Sequence, residues 1–121
     1  MMQDINKLDK VGDILNSEGT ILGLYKKDSD LFLASYLTDK QGMVYFSTTK
    51  VQVLQYLHGK STLRELYLAS EDFLVTGKTR DSKALYFKAD FADKLSMGNQ
   101  YFDKISDGIK NPGIMEELKN L

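Results

Sequence analysis

The sequence predicts an α+β fold: a single antiparallel sheet of about five strands, in the element order β-β-β-α-α-β-β, with helices on one face or at the ends and a C-terminal helix after them. Three observations carry this expectation. Runs of six to eight residues rich in β-formers, separated by turn residues, fill the stretch from Thr20 to Thr48. The apolar period then changes from two to the 3.6 of a helix near Val51. Strand-like runs return at Phe73 and Ala84.

Taken in order, Ile5, Leu8, Val11 and Leu15 have helix-like spacing and predict a short N-terminal helix, which Gly12 weakens. "NSEG" (16–19) reads as a turn. "TILGLYKK" (20–27) is a strand stopped by "DSD" (28–30). "LFLASYLT" (31–38) is apolar on both alternating sets, as expected of a central strand covered on both sides or lying in an interface. "DKQG" (39–42) is a hairpin turn, and "MVYFST" (43–48) is the strand after it. Val51, Leu54 and Leu57 form one helical stripe, with Thr48 or Thr49 as N-cap and Gly59 as the left-handed residue that ends the helix. Thr62 and Glu65 have the spacing of a capping box, which starts a second helix with Leu63, Leu66 and Tyr67 inward. "FLVTGK" (73–78) and "ALYFKA" (84–89) read as a hairpin around "TRDS" (79–82). Phe91, Leu95, Gly98, Phe102, Ile105 and Ile109 then repeat at intervals of four and three, the mark of a sustained helical stripe that Gly98-Asn99 could kink or split, or where another backbone could approach closely. The single proline, Pro112, places the last break near residue 110. Residues 1–110 are thus read as one domain. Residues 111–121 form a C-terminal tail able to close as a short docking helix, with Ile114, Leu118 and Leu121 on one side.

Composition narrows function mainly by exclusion. The chain has 121 residues, 16 Lys+Arg against 17 Asp+Glu, and a formal net charge of −1. Such a balance gives no single-sign field for nucleic acid or an anionic membrane, so nucleic acid is disfavoured as a partner and no membrane partner is expected. There is no cysteine, which excludes disulfides, thiol nucleophiles and cysteine-ligated zinc. No run approaches the ~18 apolar residues of a membrane span, and the N-terminal stretch lacks the apolar centre of a secretory signal. A cytoplasmic location is the expectation.

The motifs that suggest chemistry are incomplete. "GKS" at 59–61 and "GKT" at 77–79 match the end of a phosphate loop, but the glycine required five positions earlier is Leu54 in one and Asp72 in the other. What survives is the start of the second helix, where backbone N–H groups attract anions and Lys60, Ser61 and Arg64 are the candidate ligand-binding residues. His58 is the only histidine and has no metal-sharing partner in the sequence, so it reads as a helix-end residue. "DSD" begins like a calcium loop but continues into Phe32 and Leu33, where that loop needs a ligand and a glycine. No catalytic residue, metal or cofactor is expected. Tyr25, Tyr36, Tyr45 and Phe46 lie on neighbouring strands, where rings can stack bases or build a core; the core is the favoured reading.

From Glu18 to about Thr76 the chain resembles a group of small uncharacterised bacterial α+β domains. The resemblance rests on "SEG", the paired strands "ILGLY…LFLASYLTD", the strand "MVYFST", and "LQYLHGKSTLREL", with Thr20 where that group often carries proline. It implies the strand-strand-strand-helix order and no particular activity. Two functional classes follow from the whole reading. The first is a non-enzymatic protein-interaction or regulatory module, self-associating as a homodimer, its support being the apolar stripe from Phe91 to Ile109 and the two-sided strand at 31–38. The alternative is a binder of a phosphate-bearing ligand, or a modest enzyme, using Lys60, Ser61 and Arg64.

Overall fold

The structure is a computed structural model that describes residues 8–38, 42–77 and 88–121. The strands are β1 (Asp9–Asn16), β2 (Thr20–Lys27), β3 (Asp30–Tyr36), β4 (Gly42–Thr48) and β5 (Phe73–Gly77). The helices are α1 (Lys50–Leu57), α2 (Leu63–Ala69), α3 (Lys88–Lys94) and α4 (Ile114–Lys119), with a 3-10 turn at Phe102–Lys104. The five strands lie side by side in chain order and every neighbouring pair is antiparallel. The chain is therefore α+β, as its alternating strand runs require, and its described elements run β-β-β-β-α-α-β before the later helices.

The extra strand at the start replaces the expected N-terminal helix. Val11 to Leu15 lie in β1, while residues 1–7 are outside the described residues. The physical reason is in the β1–β2 register, which shifts between Lys10 and Gly12, between Asp13 and Leu15, and between Leu15 and Asn16. Each such irregularity breaks the period of two. Val11, Ile14 and Leu15 consequently fall at intervals that imitate a helical turn. Gly12 also has a packing role: a Cβ there would sit 3.4 Å from the Ile114 methyl of α4.

Helix α1 is where the sequence placed it, but turned about its axis. Val53, Tyr56 and Leu57 are its buried residues, and Val51 is 64% exposed. The Tyr56 ring decides the face, packing edge-on against Phe102 at 5.5 Å. Thr49 caps the helix by accepting from Gln52 N at 3.2 Å. Gly59 follows at φ +73°, and the Thr62–Glu65 capping box opens α2.

Two further expectations change. Residues 88 and 89 belong to α3 instead of a strand; the strand expected at 84–87 and the hairpin loop at 79–82 lie outside the described residues. Lys88 anchors the start of α3, its Nζ donating to the Leu68 and Ser70 carbonyls at the end of α2. The long helix expected from Phe91 to Ile109 is broken after α3. Met97 has φ +59°, and a Cβ on Gly98 would lie 3.1 Å from the Ala92 carbonyl. Beyond that point the chain makes single bridges, Leu37 to Leu95, Thr62 to Tyr101 and Leu15 to Lys110. The stripe correctly marked burial: Phe91, Leu95 and Ile105 all enter the core. It marked a helix wrongly, because turns can also deliver apolar side chains every three or four residues.

The described helices and turns that contribute to the core do so on one side of the sheet. Tyr67 of α2 meets Phe46 of β4 at 5.2 Å and Phe73 of β5 at 5.6 Å. Ile114 and Leu118 of α4 are buried against the same cluster, whereas Leu121 is 40% exposed. The segment before α4 lines the outer edge of β1: Asn16 N donates to Ile109 O, Asn111 N to Ile14 O, and the Asn111 side chain to Asp13 O at 2.6 Å. An otherwise open strand edge is covered in this way. No described helix is long and apolar enough to cross a membrane.

Candidate functional site

The corner proposed from sequence has several of its donors already in use. Helix α2 is only seven residues long. Arg64 N donates to Gly98 O at 2.7 Å, Glu65 N to Thr62 Oγ1 at 3.2 Å, and Thr62 N to Glu65 Oε1 at 3.0 Å. The Arg64 side chain pairs with Asp93 at 3.0 Å. Lys60 is exposed and its backbone N donates to Gln55 O, while Ser61 is half-buried. The three residues are neighbours, and two of the amides a phosphate would recruit, those of Thr62 and Arg64, already donate to protein acceptors. His58 is exposed at the C-terminal end of α1. Among the described residues no group of three His, Asp or Glu side chains is placed to hold a metal.

The opposite face of the sheet gathers more. Strand alternation sends successive side chains to opposite faces, so Tyr45 leaves the core face that Phe46 enters. In register with Tyr45 are Ala34 on β3 and Leu74 on β5, and in register with Ala34 is Gly23 on β2. Gly23 and Ala34 form a low floor, with ring atoms of Tyr25 beside it: a Cβ on Gly23 would lie 2.9 Å from the Tyr25 ring. Tyr25 meets Tyr45 edge-to-face at 5.7 Å and 66°. Phe32 and Met43 share this face by alternation, and so does Tyr36; Tyr36 is 38% exposed, whereas Phe32 and Ala34 are buried. None of the described helices packs on these rings.

A polar cluster borders the rings on the β1 side. Lys10 Nζ pairs with Asp13 Oδ1 at 2.7 Å and donates to Thr20 Oγ1 at 2.7 Å; Thr20 in turn donates to Asp13 at 2.6 Å, and Asn16 donates to the other carboxylate oxygen. Burial pushes the Asp13 carboxyl upward, but the bonds from Lys10, Thr20 and Asn16 together outweigh it and hold it below the usual carboxylate range. The hydrogen bond to Asp13 raises Lys10, against the smaller opposing effect of burial. Burial also raises the Tyr45 hydroxyl, with the nearby Tyr25 and Tyr36 hydroxyls adding to the effect. Three phenols therefore converge on one patch. At the end of this face a cleft of about 570 Å³ is lined by Ser17, Glu18, Thr20, Tyr36, Thr38 and Ser96 among others. Its hydroxyls and one carboxylate contain no acid–base pair, and Asp13 beside it is locked as a carboxylate.

Sequence reasoning grouped the rings of adjacent strands but did not separate them by face. The signal that separates them was present: Tyr45 and Phe46 are consecutive, and the small residues Gly23 and Ala34 share a cross-strand row with Tyr45. No known protein family, curated protein or solved structure matches the chain.

Proposed function

We propose that this chain is a non-enzymatic protein-interaction module whose docking surface is the aromatic face of the sheet, on which none of the described helices packs. The observation that carries the reading is the cluster of Tyr25, Tyr36 and Tyr45 beside the Gly23–Ala34 floor, with Phe32, Met43 and Leu74 around it. Tyrosine and methionine are enriched where proteins meet, because each offers broad apolar area with few rotatable bonds or an adaptable shape. A core face with Leu24, Leu33, Val44, Phe46 and Val75 already stabilises the sheet from the other side. On the other face Tyr36 is 38% exposed, while Phe32 and Ala34 beneath the rings are buried.

The test places a photoreactive phenylalanine analogue at position 45 and, as control, at position 51 on the exposed side of α1. Illumination in cells should give an adduct of defined mass from position 45 and none from position 51. Equal yields from the two positions would sink the reading.

A further inference from the structure

We propose that the Asp107-Gly108 bond is a site of self-modification: it passes through a succinimide to isoaspartate, and the product loosens the segment 109–111 from the edge of β1.

The reacting groups are free and exposed. Asp107 is the only aspartate in the chain followed by glycine, and no asparagine is followed by one. Ile109 N donates to Ser106 O at 3.1 Å, closing a turn with Asp107 and Gly108 at its centre. Gly108 N makes no hydrogen bond among the described residues. The Asp107 side chain is 97% exposed, and its pair with Lys110 Nζ at 3.2 Å is of the solvated kind that holds a carboxylate weakly. Glycine has no Cβ, so the approach to its nitrogen is clear. The Asn16-Ser17 bond shows the contrast: Ser17 N already donates to Gly19 O at 2.9 Å, and the Asn16 side chain is held by Asp13.

The reaction needs only water. The Asp107 carboxyl takes up a proton, and Gly108 N attacks its Cγ. The carboxyl OH leaves with the amide proton as water, and a five-membered succinimide closes. Water then adds to one of the two ring carbonyls. When the bond from nitrogen to the old main-chain carbonyl breaks, the chain runs on through Cβ and Cγ, and the old carbonyl becomes a pendant carboxylate. One water is released and one is taken up, so mass and oxidation state are unchanged.

The consequence lies in the next three residues. Isoaspartate adds one carbon to the main chain, about 1.5 Å of length. Upstream, Ile105 is fixed in the core at 3% exposure. Downstream, Asn16 N donates to Ile109 O at 2.8 Å, Lys110 bridges Leu15, and Asn111 N donates to Ile14 O at 3.1 Å. An N–H···O bond keeps its strength over only about 0.5 Å of donor–acceptor distance. Three residues between two anchors have little slack to absorb the added carbon, so the bonds to β1 weaken.

The test incubates the full chain at pH 7.4 and 37 °C. Peptide mapping with electron-transfer fragmentation separates isoaspartate from aspartate at equal mass. Isoaspartate should accumulate at 107 about tenfold faster than at Asp28 or Asp103. Gly108→Ala should slow it about tenfold; the added Cβ would meet only Ser106 Oγ at 3.7 Å, so the variant keeps the turn. In aged wild type, amide exchange at Asn16 and Asn111 should quicken about tenfold, while exchange at Leu33 in the centre of the sheet stays as it was. Conversion at 107 no faster than at the other aspartates overturns the proposal. So does isoaspartate at 107 with unchanged exchange at Asn16 and Asn111.

Discussion

Removing Leu118 tests whether α4 belongs to the core. Leu118 is fully buried and Ile114 is 1% exposed, both within the main cluster. Leu118→Ala deletes three buried carbons, worth about 2 kcal/mol by transfer at ~0.8 kcal/mol each, and leaves a cavity that adds to it. The expected loss is about 3 kcal/mol, inside the 2–5 kcal/mol span of such substitutions. With a urea m-value of roughly 1.5 kcal/mol/M for a domain of this size, the unfolding midpoint should fall by about 2 M. Leu121, three residues on, is the internal control: it is 40% exposed, and Leu121→Ala should stay within about 0.5 kcal/mol. Equilibrium urea unfolding followed by circular dichroism reads both. A Leu118→Ala loss below about 1 kcal/mol would mean that α4 lies loosely on β1, and the packing argument would fail.

Three other expectations follow from the caps, the polar cluster and the start of α2. Thr62→Ala removes the acceptor for Glu65 N and should lower stability by about 1 kcal/mol, a melting shift of roughly 3–6 °C; an unchanged melting curve would contradict the capping box. The Asp13 carboxyl is lowered in the folded state, so its contribution is present above the unfolded value near ~3.9 and is lost as pH falls through the folded value. The gap between wild type and Asp13→Asn should accordingly narrow between pH 6 and pH 2.5 in urea titrations, and a gap independent of pH would refute the assignment. Inorganic phosphate at tens of millimolar should leave the melting temperature where sulfate at equal ionic strength leaves it; a phosphate-specific rise abolished by Arg64→Ala would restore a ligand site at Lys60, Ser61 and Arg64.

Local chemistry made much of this fold readable. The capping box at Thr62, the left-handed Gly59 and the β2–β3–β4 hairpins each depend on a few neighbouring residues, and all stand in the structure. The misreadings share a cause. In β1 the irregular register moved apolar residues off the period of two, and after α3 a chain of turns and one 3-10 turn kept a period near 3.6 without forming a continuous α-helix. In both places tertiary packing overrides the periodicity on which the reading relied. The candidate surface was half visible for a related reason. Sequence names the rings, whereas the face each occupies follows from strand parity once the register is known.

The contact between Asn111 and Asp13 joins positions 98 apart in the chain. Closing a loop of that length carries an entropic penalty that the adjacent hairpins escape, so β2, β3 and β4 are the natural first partners during folding. The outer edge of β1 then waits for residues 109–111, which leave the ribosome about a hundred residues later. During that interval the strand offers unpaired amides and carbonyls to any other chain. The segment at 109–111 thus also shields the β1 edge against self-templated aggregation, a kinetic role separate from the stability that α4 contributes.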